Sequence, residues 1–361
     1  MVVDAIVIGA GPAGATAGKQ IALAGFEVLV LEKSSSPGKN KICGGAMSRK
    51  SFADLSLPEE IIEKELSRFV VHFQEQEFRI PNKNGFALFD RESLDRFLVK
   101  KASEKGATVR TSTLVSDIAK CSDGLSVHYR KLPEREREEE RARIVVFADG
   151  TNTLAFRKLQ VGFDGRPEHT ALAAAYDLKC PDNNLDSLDF YFSEEISSFG
   201  YGWIFPKRDL VNVGVLCLLS KMKHNIRSCL DRFVVSSELG SREIIRFGCR
   251  LIPQSCVEKL HDDSVLVAGD AAGTADPIDG GGIFNAVISG EVAGKVAVDA
   301  LEAGALTADF LAKYAGLWKK TGCHRLFQRS YLLQKLALKA DVNMGVFLKQ
   351  MGFFTRDTSI E

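Results

Sequence analysis

The sequence has no charge surplus of either sign: 47 Lys and Arg stand against 47 Asp and Glu. Nucleic acid, whose binding normally demands a basic excess, is therefore not an expected partner. Nor is there any run approaching the roughly 18 to 20 uninterrupted apolar residues of a membrane-spanning helix, so the chain is not expected to span a bilayer. The eight cysteines (Cys43, Cys121, Cys180, Cys217, Cys229, Cys249, Cys256 and Cys323) form no close CxxC pair and have no histidine at metal-ligand spacing. No metal site is expected. The first residues enter a strand at once with no basic, then apolar leader, so a cytoplasmic location with reduced thiols is the expectation. What is present is 361 residues, 45% of them apolar, enough for one large or two joined domains without disulfide or metal staples.

Residues 3–8 are a continuous apolar run suited to a doubly buried strand, 13–24 a small-residue helix, and 26–33 a second strand. That is a βαβ unit. A loop follows over 34–49, then a Pro-initiated helix over 58–67, alternating strand character over 69–80 and a helix over 92–105. Strands are predicted over 107–118, 125–131 and 142–148, with the charged run 133–143 read as a solvated hairpin tip. Residues 170–254 read as alternating strands with one helix near 222–239, and 264–303 as a buried strand, a Gly-rich turn and a long helix. The fold class is thus α/β with an α+β second domain. The expected partition is a discontinuous Rossmann-like domain (1–68, 86–168 and 260–303), a mainly antiparallel substrate domain (69–85 and 169–259) and a helical C-terminal region (304–361).

Gly9, Gly11 and Gly14 form GxGxxG between the first strand and helix. Gly9 permits the tight turn, Gly11 lets the backbone approach a pyrophosphate, and Gly14 allows close helix-strand packing. Glu32 closes the second strand 18 residues beyond Gly14, where a carboxylate can accept hydrogen bonds from ribose hydroxyls. FAD, not NAD, is indicated by DDSVLVAGDAAGTADPIDGGGIFNAVISG. There a strand delivers Asp270 toward ribityl hydroxyls, and Gly280, Gly281 and Gly282 open a helix whose amides suit a reduced flavin's negative edge.

That stretch resembles the second FAD fingerprint of the para-hydroxybenzoate hydroxylase superfamily, as do Asp149-Gly150 and FDRESLDRFL. The resemblance implies cofactor contacts at Ala13, Lys33, Arg91, Gly269, Pro277 and Ile283. With KICGGAMS (Cys43, Gly44, Gly45) and FGYGWIFPK (Tyr201, Trp203, Phe205, Pro206), residues 1–305 resemble the geranylgeranyl reductase family, flavoenzymes that saturate isoprenoid double bonds. This implies Cys43, Gly44 and Gly45 beside the flavin, and Tyr201, Trp203, Phe205 and Pro206 along an isoprenoid tunnel. Cys43, Tyr201 and Trp203 become catalytic candidates, with Cys43, Tyr201 or an ordered water as proton donor. From alternation alone, the aromatic residues read equally as ordinary sheet packing.

No second strand-linked GxGxxG is present, so the expected electron donor is transient, either NADPH or a ferredoxin-like protein. From 313 to 349 the tail carries Lys313, Lys319, Lys320, Arg325, Arg329, Lys335, Lys339 and Lys349 against Asp341 alone. It reads as a helix lying on an anionic membrane surface or as one packed on the protein with its basic face in water. Three other functions share parts of the pattern. A flavin monooxygenase has the same FAD motifs, a flavin-dependent halogenase carries a WxWxIP element where this chain has Tyr201 and Phe205, and an electron-transfer flavoprotein would ignore isoprenoids.

Overall fold

The computed structural model describes residues 2–133 and 136–352. In chain order its first half comprises β1 (Val2–Ile8), α1 (Pro12–Leu23), β2 (Val28–Leu31), β3 (Ala46–Ser48), α2 (Arg49–Asp54), β4 (Ile62–Phe73), β5 (Gln76–Phe89), α3 (Arg91–Glu104), β6 (Thr108–Arg110), β7 (Thr113–Cys121), β8 (Gly124–Lys131), β9 (Arg137–Phe147) and α4 (Leu154–Leu159). There follow β10 (Thr170–Lys179), β11 (Leu188–Phe192), β12 (Gly200–Pro206), β13 (Leu210–Leu218), α5 (Ile226–Ser236), β14 (Ile244–Pro253), β15 (His261–Asp262) and β16 (Val265–Val267). The chain ends in α6 (Ile283–Ala303), α7 (Ala308–Leu311), α8 (Lys313–Lys320), α9 (Gly322–Ala340) and α10 (Met344–Gln350).

Two compact units result. The first holds residues 1–39, 92–165 and 253–331. Its sheet runs β15-β16-β9-β1-β2-β6, and β16, β9, β1, β2 and β6 are mutually parallel. Ala5, Ile6 and Val7 of β1 are fully buried, as a strand central to such a sheet requires. Helices α1 and α6 cross closely because both are lined with small residues. A Cβ on Gly290 would fall 2.2 Å from the Ala13 carbonyl oxygen, and one on Gly294 2.9 Å from that of Ala17. β8 extends the sheet antiparallel to β9, and β7 pairs antiparallel with β8.

The second unit holds residues 40–91, 166–252 and 332–361 as far as described, in a sheet ordered β14-β10-β13-β12-β11-β4-β5-β3. The pairs β3-β5, β4-β5, β11-β12, β12-β13 and β10-β13 are antiparallel, and β11 pairs parallel with β4. Helix α5 covers one face, where Leu230 and Phe233 pack with Ile204, Val213 and Val215. Tyr201, Trp203 and Phe205 point to the opposite face, by the two-residue period of a strand.

The structure corrects three local readings. The helix predicted over 58–67 is a single 3-10 turn, Glu59–Ile61, leading into strand β4. Its pairing with β5 buries Leu66, Val70, Val71 and Phe73, and that burial overrides the helix propensity of Glu, Lys and Leu. The charged run read as a hairpin tip is, from Arg137 on, strand β9; residues 134–135 lie outside the described residues. Cross-strand bonds stabilise it: the Tyr129 hydroxyl donates to Glu138 at 2.8 Å, and Arg110 pairs with Glu140 at 3.1 Å. Finally, residues 40–68, expected in the Rossmann-like domain, group with the second unit, because β3 bonds to β5 and Phe52 of α2 meets Phe89. The helical C-terminal region is divided between the units at Tyr331 and Leu332, and residues 353–361 lie outside the described residues.

Candidate functional site: a dinucleotide cradle and an aromatic strand

In the first unit, each motif segment follows the carboxyl end of a parallel strand. Gly9 to Gly14 follow β1, Glu32 follows β2, Asp149 follows β9, and Gly269-Asp270 follow β16. The sheet ladder continues into these turns through Gly9 N–H to Leu31 O (2.8 Å), Ala148 N–H to Ile8 O (2.8 Å) and Ala268 N–H to Phe147 O (2.9 Å). This is where open α/β sheets bind ligands.

Gly9 has φ +97°, and a Cβ there would lie 2.4 Å from the Ala148 carbonyl oxygen. Only glycine fits. Gly11 is the N-cap of α1, and no side chain caps that helix. The buried Glu32 carboxylate accepts from Ala10 N–H at 2.9 Å and Ser34 N–H at 2.8 Å, fixing the turn while leaving lone pairs for a ribose hydroxyl. Asp149 accepts from Leu154 N–H at 2.7 Å through Oδ2, whereas its buried Oδ1 has no hydrogen-bond partner among the described residues. Burial pushes this carboxyl above the ordinary aspartate range, against the stabilising Leu154 bond.

The glycine turn before α6 is held by its own residues. Asp276 Oδ1 accepts from Ile278 N–H at 2.8 Å, Gly281 N–H donates to Asp279 Oδ1 at 2.7 Å, and Gly280 takes φ +70°. Burial and then the neighbouring Asp279 push the Asp276 carboxyl upward. Gly282 caps α6 without a side-chain bond, Ile283 starts the helix and Pro277 is buried. Three polar residues brace the segment from Gly269 to this turn. Ser289 Oγ accepts from Gly269 N–H at 3.0 Å, Asn285 donates to Thr274 O at 2.9 Å, and Gln254 donates to Asp276 O at 3.1 Å. The first two lie inside the stretch DDSVLVAGDAAGTADPIDGGGIFNAVISG without being singled out there, and Gln254 lies outside every motif. Among the expected cofactor residues, Ala13 is buried against Gly269 and Gly290, while Lys33 is exposed and Gly150 takes φ +88°.

In the second unit, Tyr201, Trp203, Phe205 and Pro206 are all buried on β12. Phe190 meets Tyr201 at 5.6 Å and Phe205 at 5.2 Å between ring centroids, making one aromatic row. The CGG segment lies against it: a Cβ on Gly44 would fall 2.6 Å from Phe205 Cδ2 and 3.7 Å from Trp203 Nε1. Gly45, at φ +65°, has no room for a Cβ beside the Phe89 carbonyl, which also accepts from the buried Lys207 Nζ at 3.2 Å. Cys43 is a half-buried free thiol, and Arg91, at the start of α3, is buried and groups with this unit.

The first unit's four turns fit FAD: two helix starts lack side-chain caps, a buried carboxylate oxygen lacks a partner, and glycines line the backbone where a pyrophosphate must approach. They define the class as an FAD-dependent oxidoreductase. Residues 2–179 match the FAD binding domain family and residues 170–250 the geranylgeranyl reductase catalytic domain. With a digeranylgeranylglycerophospholipid reductase of Methanothermobacter thermautotrophicus 32% identical over 88% of this chain and 83% of its own, the chain belongs to the geranylgeranyl reductase family. A reductase of the same name from Methanopyrus kandleri is 31% identical over 88% of this chain and 82% of its own. In fold, the chain resembles a geranylgeranyl bacteriochlorophyll reductase-like protein from Thermoplasma acidophilum (TM-score 0.88, 24% identity, 100% of this chain and 94% of that one). A flavin-dependent brominase shares the fold at TM-score 0.71 and 19% identity, over 99% of this chain and all of its own.

Proposed function

We propose that the protein saturates carbon-carbon double bonds in the geranylgeranyl chains of a glycerophospholipid, the substrate class named for its relatives. The observation that carries this reading is the buried aromatic row of β12 with the CGG segment packed on it, in a chain that also holds the four-turn FAD cradle. When bound, reduced FAD supplies a hydride, and its oxidation balances the reduction of the alkene. A proton completes the second new C–H bond. An isolated trisubstituted alkene is a poor hydride acceptor, so the chain's task is to orient it and exclude water.

In this reading the α1 amides hold the pyrophosphate, Glu32 a ribose, Asp270 the ribityl chain and the α6 start the pyrimidine edge. Arg91 and the CGG segment add contacts to the cofactor. Tyr201, Trp203 and Phe205 supply an apolar wall for isoprene units, Pro206 follows on the alternate face of the strand, and Cys43, Tyr201 or an ordered water hands over the proton. The test is to incubate photoreduced protein with digeranylgeranyl glycerophospholipid and weigh the lipid. A gain of about two mass units per saturated bond supports the reading, and an unchanged lipid refutes it.

A membrane-borne substrate calls for a surface contact, and the outward side of α9 suits one. Leu326, Leu332 and Leu336 are 62%, 59% and 46% exposed, interleaved with exposed Arg325, Arg329, Lys335 and Lys339. Phe327, Leu333 and Ala337 are buried, so the helix is packed on the protein and still offers leucines and cations outward. Lys313 pairs with Asp299 at 2.7 Å and Lys349 with Gln76 at 2.8 Å. Among the described residues no helix is long and apolar enough to cross a membrane.

A further inference from the structure

Behind the aromatic row runs a chain of polar side chains inside the second unit. The Trp203 indole Nε1–H donates to Asn212 Oδ1 at 2.7 Å. Asn212 Nδ2–H donates to Asp177 Oδ1 at 2.6 Å, and Arg246 Nε–H donates to Asp177 Oδ2 at 2.8 Å. A second guanidinium nitrogen of Arg246 reaches Asp90 Oδ1 at 3.3 Å. Asn212 and Asp177 are 0% and 1% exposed, on strands where they are direct cross-strand partners.

We propose that Asn212, Asp177 and Arg246 are positioning residues that lock the orientation of the Trp203 indole, and so set how an isoprenoid chain seats against it. Each link has one allowed polarity. An indole N–H only donates, a carboxylate only accepts and a guanidinium only donates. Because Asp177 can only accept, it forces the Asn212 amide to turn its nitrogen toward Asp177 and its oxygen toward Trp203. Arg246 compensates the buried Asp177 charge and fixes its second oxygen. The ring itself lies in a slot made by missing side chains: a Cβ on Gly214 would fall 2.1 Å from Trp203 Cζ2. With the ring seated over Gly214 and its nitrogen bonded to Asn212, a flip about the ring's own axis would break that bond.

The seating of substrate rests on the proposed function; the locking of the indole does not, and the two are tested apart. The chain has two tryptophans. In holoenzyme carrying Trp318→Phe, Trp203 is the sole tryptophan, and its emission and anisotropy report its rigidity without substrate. Asn212→Leu should lower the anisotropy and broaden the emission, and raise KM for the lipid about tenfold, the scale of one lost buried hydrogen bond, with little change in kcat or flavin content. At the partly exposed end, Arg246→Met should reproduce this in weaker form and Arg246→Lys should restore most of it. If Asn212→Leu fails to fold, the Arg246 pair decides alone. Unchanged Trp203 emission in flavin-loaded Asn212→Leu, or Arg246→Met and Arg246→Lys behaving alike, overturns the lock. Normal turnover by Trp203→Ala instead overturns the substrate role of the row, while the emission result still stands or falls by itself.

Discussion

At the residue scale, what could be read from the sequence alone is what local backbone geometry dictates. Gly9, Gly14 and Gly45 are required because a Cβ would strike a backbone oxygen at 2.4, 1.8 and 2.1 Å, and such constraints leave glycine in the sequence as their trace. Trp203 was legible as a member of an aromatic alternation, but its partner Asn212 was not, since that bond depends on the register of β12 with β13. Asp177 and Arg246 were hidden for the same reason. Gly11 offers the sharpest residue-level test of the cradle. In Gly11→Val the new side chain would occupy the approach of the pyrophosphate, so the purified variant should lose its yellow flavin while keeping its far-ultraviolet circular dichroism. Flavin retained at wild-type stoichiometry would place the pyrophosphate elsewhere.

At the element scale, the crossing of α1 with α6 couples the two FAD fingerprints, because Ala13 of one packs against Gly269 and Gly290 of the other. Gly290→Ala should therefore cost about 1 to 3 kcal/mol by overpacking, measured as denaturant midpoint, and weaken flavin retention. Gly316→Ala, where a Cβ meets nothing within 4 Å, should be neutral or stabilising by roughly 0.5 to 1 kcal/mol. Equal effects at the two sites would remove the coupling. The turn before α6 carries a pH signature. Burial and Asp279 raise the Asp276 carboxyl above its unfolded value, so folding favours its protonated form. Its contribution is greatest below the unfolded value of about 4 and declines as pH rises through the folded one. Asp276→Asn, which cannot ionise, should flatten the dependence of melting temperature on pH above about 4; an unaltered profile would show that Asp276 titrates normally. Helix α1 was readable from its glycine turn, whereas the Asn225-capped α5 is shorter than the 222–239 expected and the start of β4 was not read as strand: its Glu, Lys and Leu favour helix locally, and only the pairing with β5 makes it a strand.

At the scale of the whole molecule, the alternation of βαβ and antiparallel segments was legible, but the assignment of residues 40–68 was not, because β3 and β4 find their partners in β5 and β11 across sequence gaps. The tail shows a similar limit. Its periodicity revealed a basic amphipathic helix, while the exposure of Leu326, Leu332 and Leu336 alongside the cations needed the packing to be known. Vesicles containing anionic lipid should bind the protein, and Lys335→Glu with Lys339→Glu should weaken that binding without altering the flavin spectrum. Added salt should weaken it too, by screening over a Debye length of about 8 to 10 Å. Salt-insensitive binding, or none, would leave α9 a purely internal helix. The central claim is that the electrons of the reduced flavin go to an isoprenoid double bond. The most direct test mixes photoreduced protein, without oxygen, halide or other acceptor, with digeranylgeranyl glycerophospholipid or with its fully saturated counterpart, and follows the return of oxidised-flavin absorbance. The account predicts reoxidation by the unsaturated lipid alone, one flavin per bond saturated. Reduced flavin that persists with both lipids and is discharged only when oxygen and a halide or aromatic substrate are admitted would contradict it.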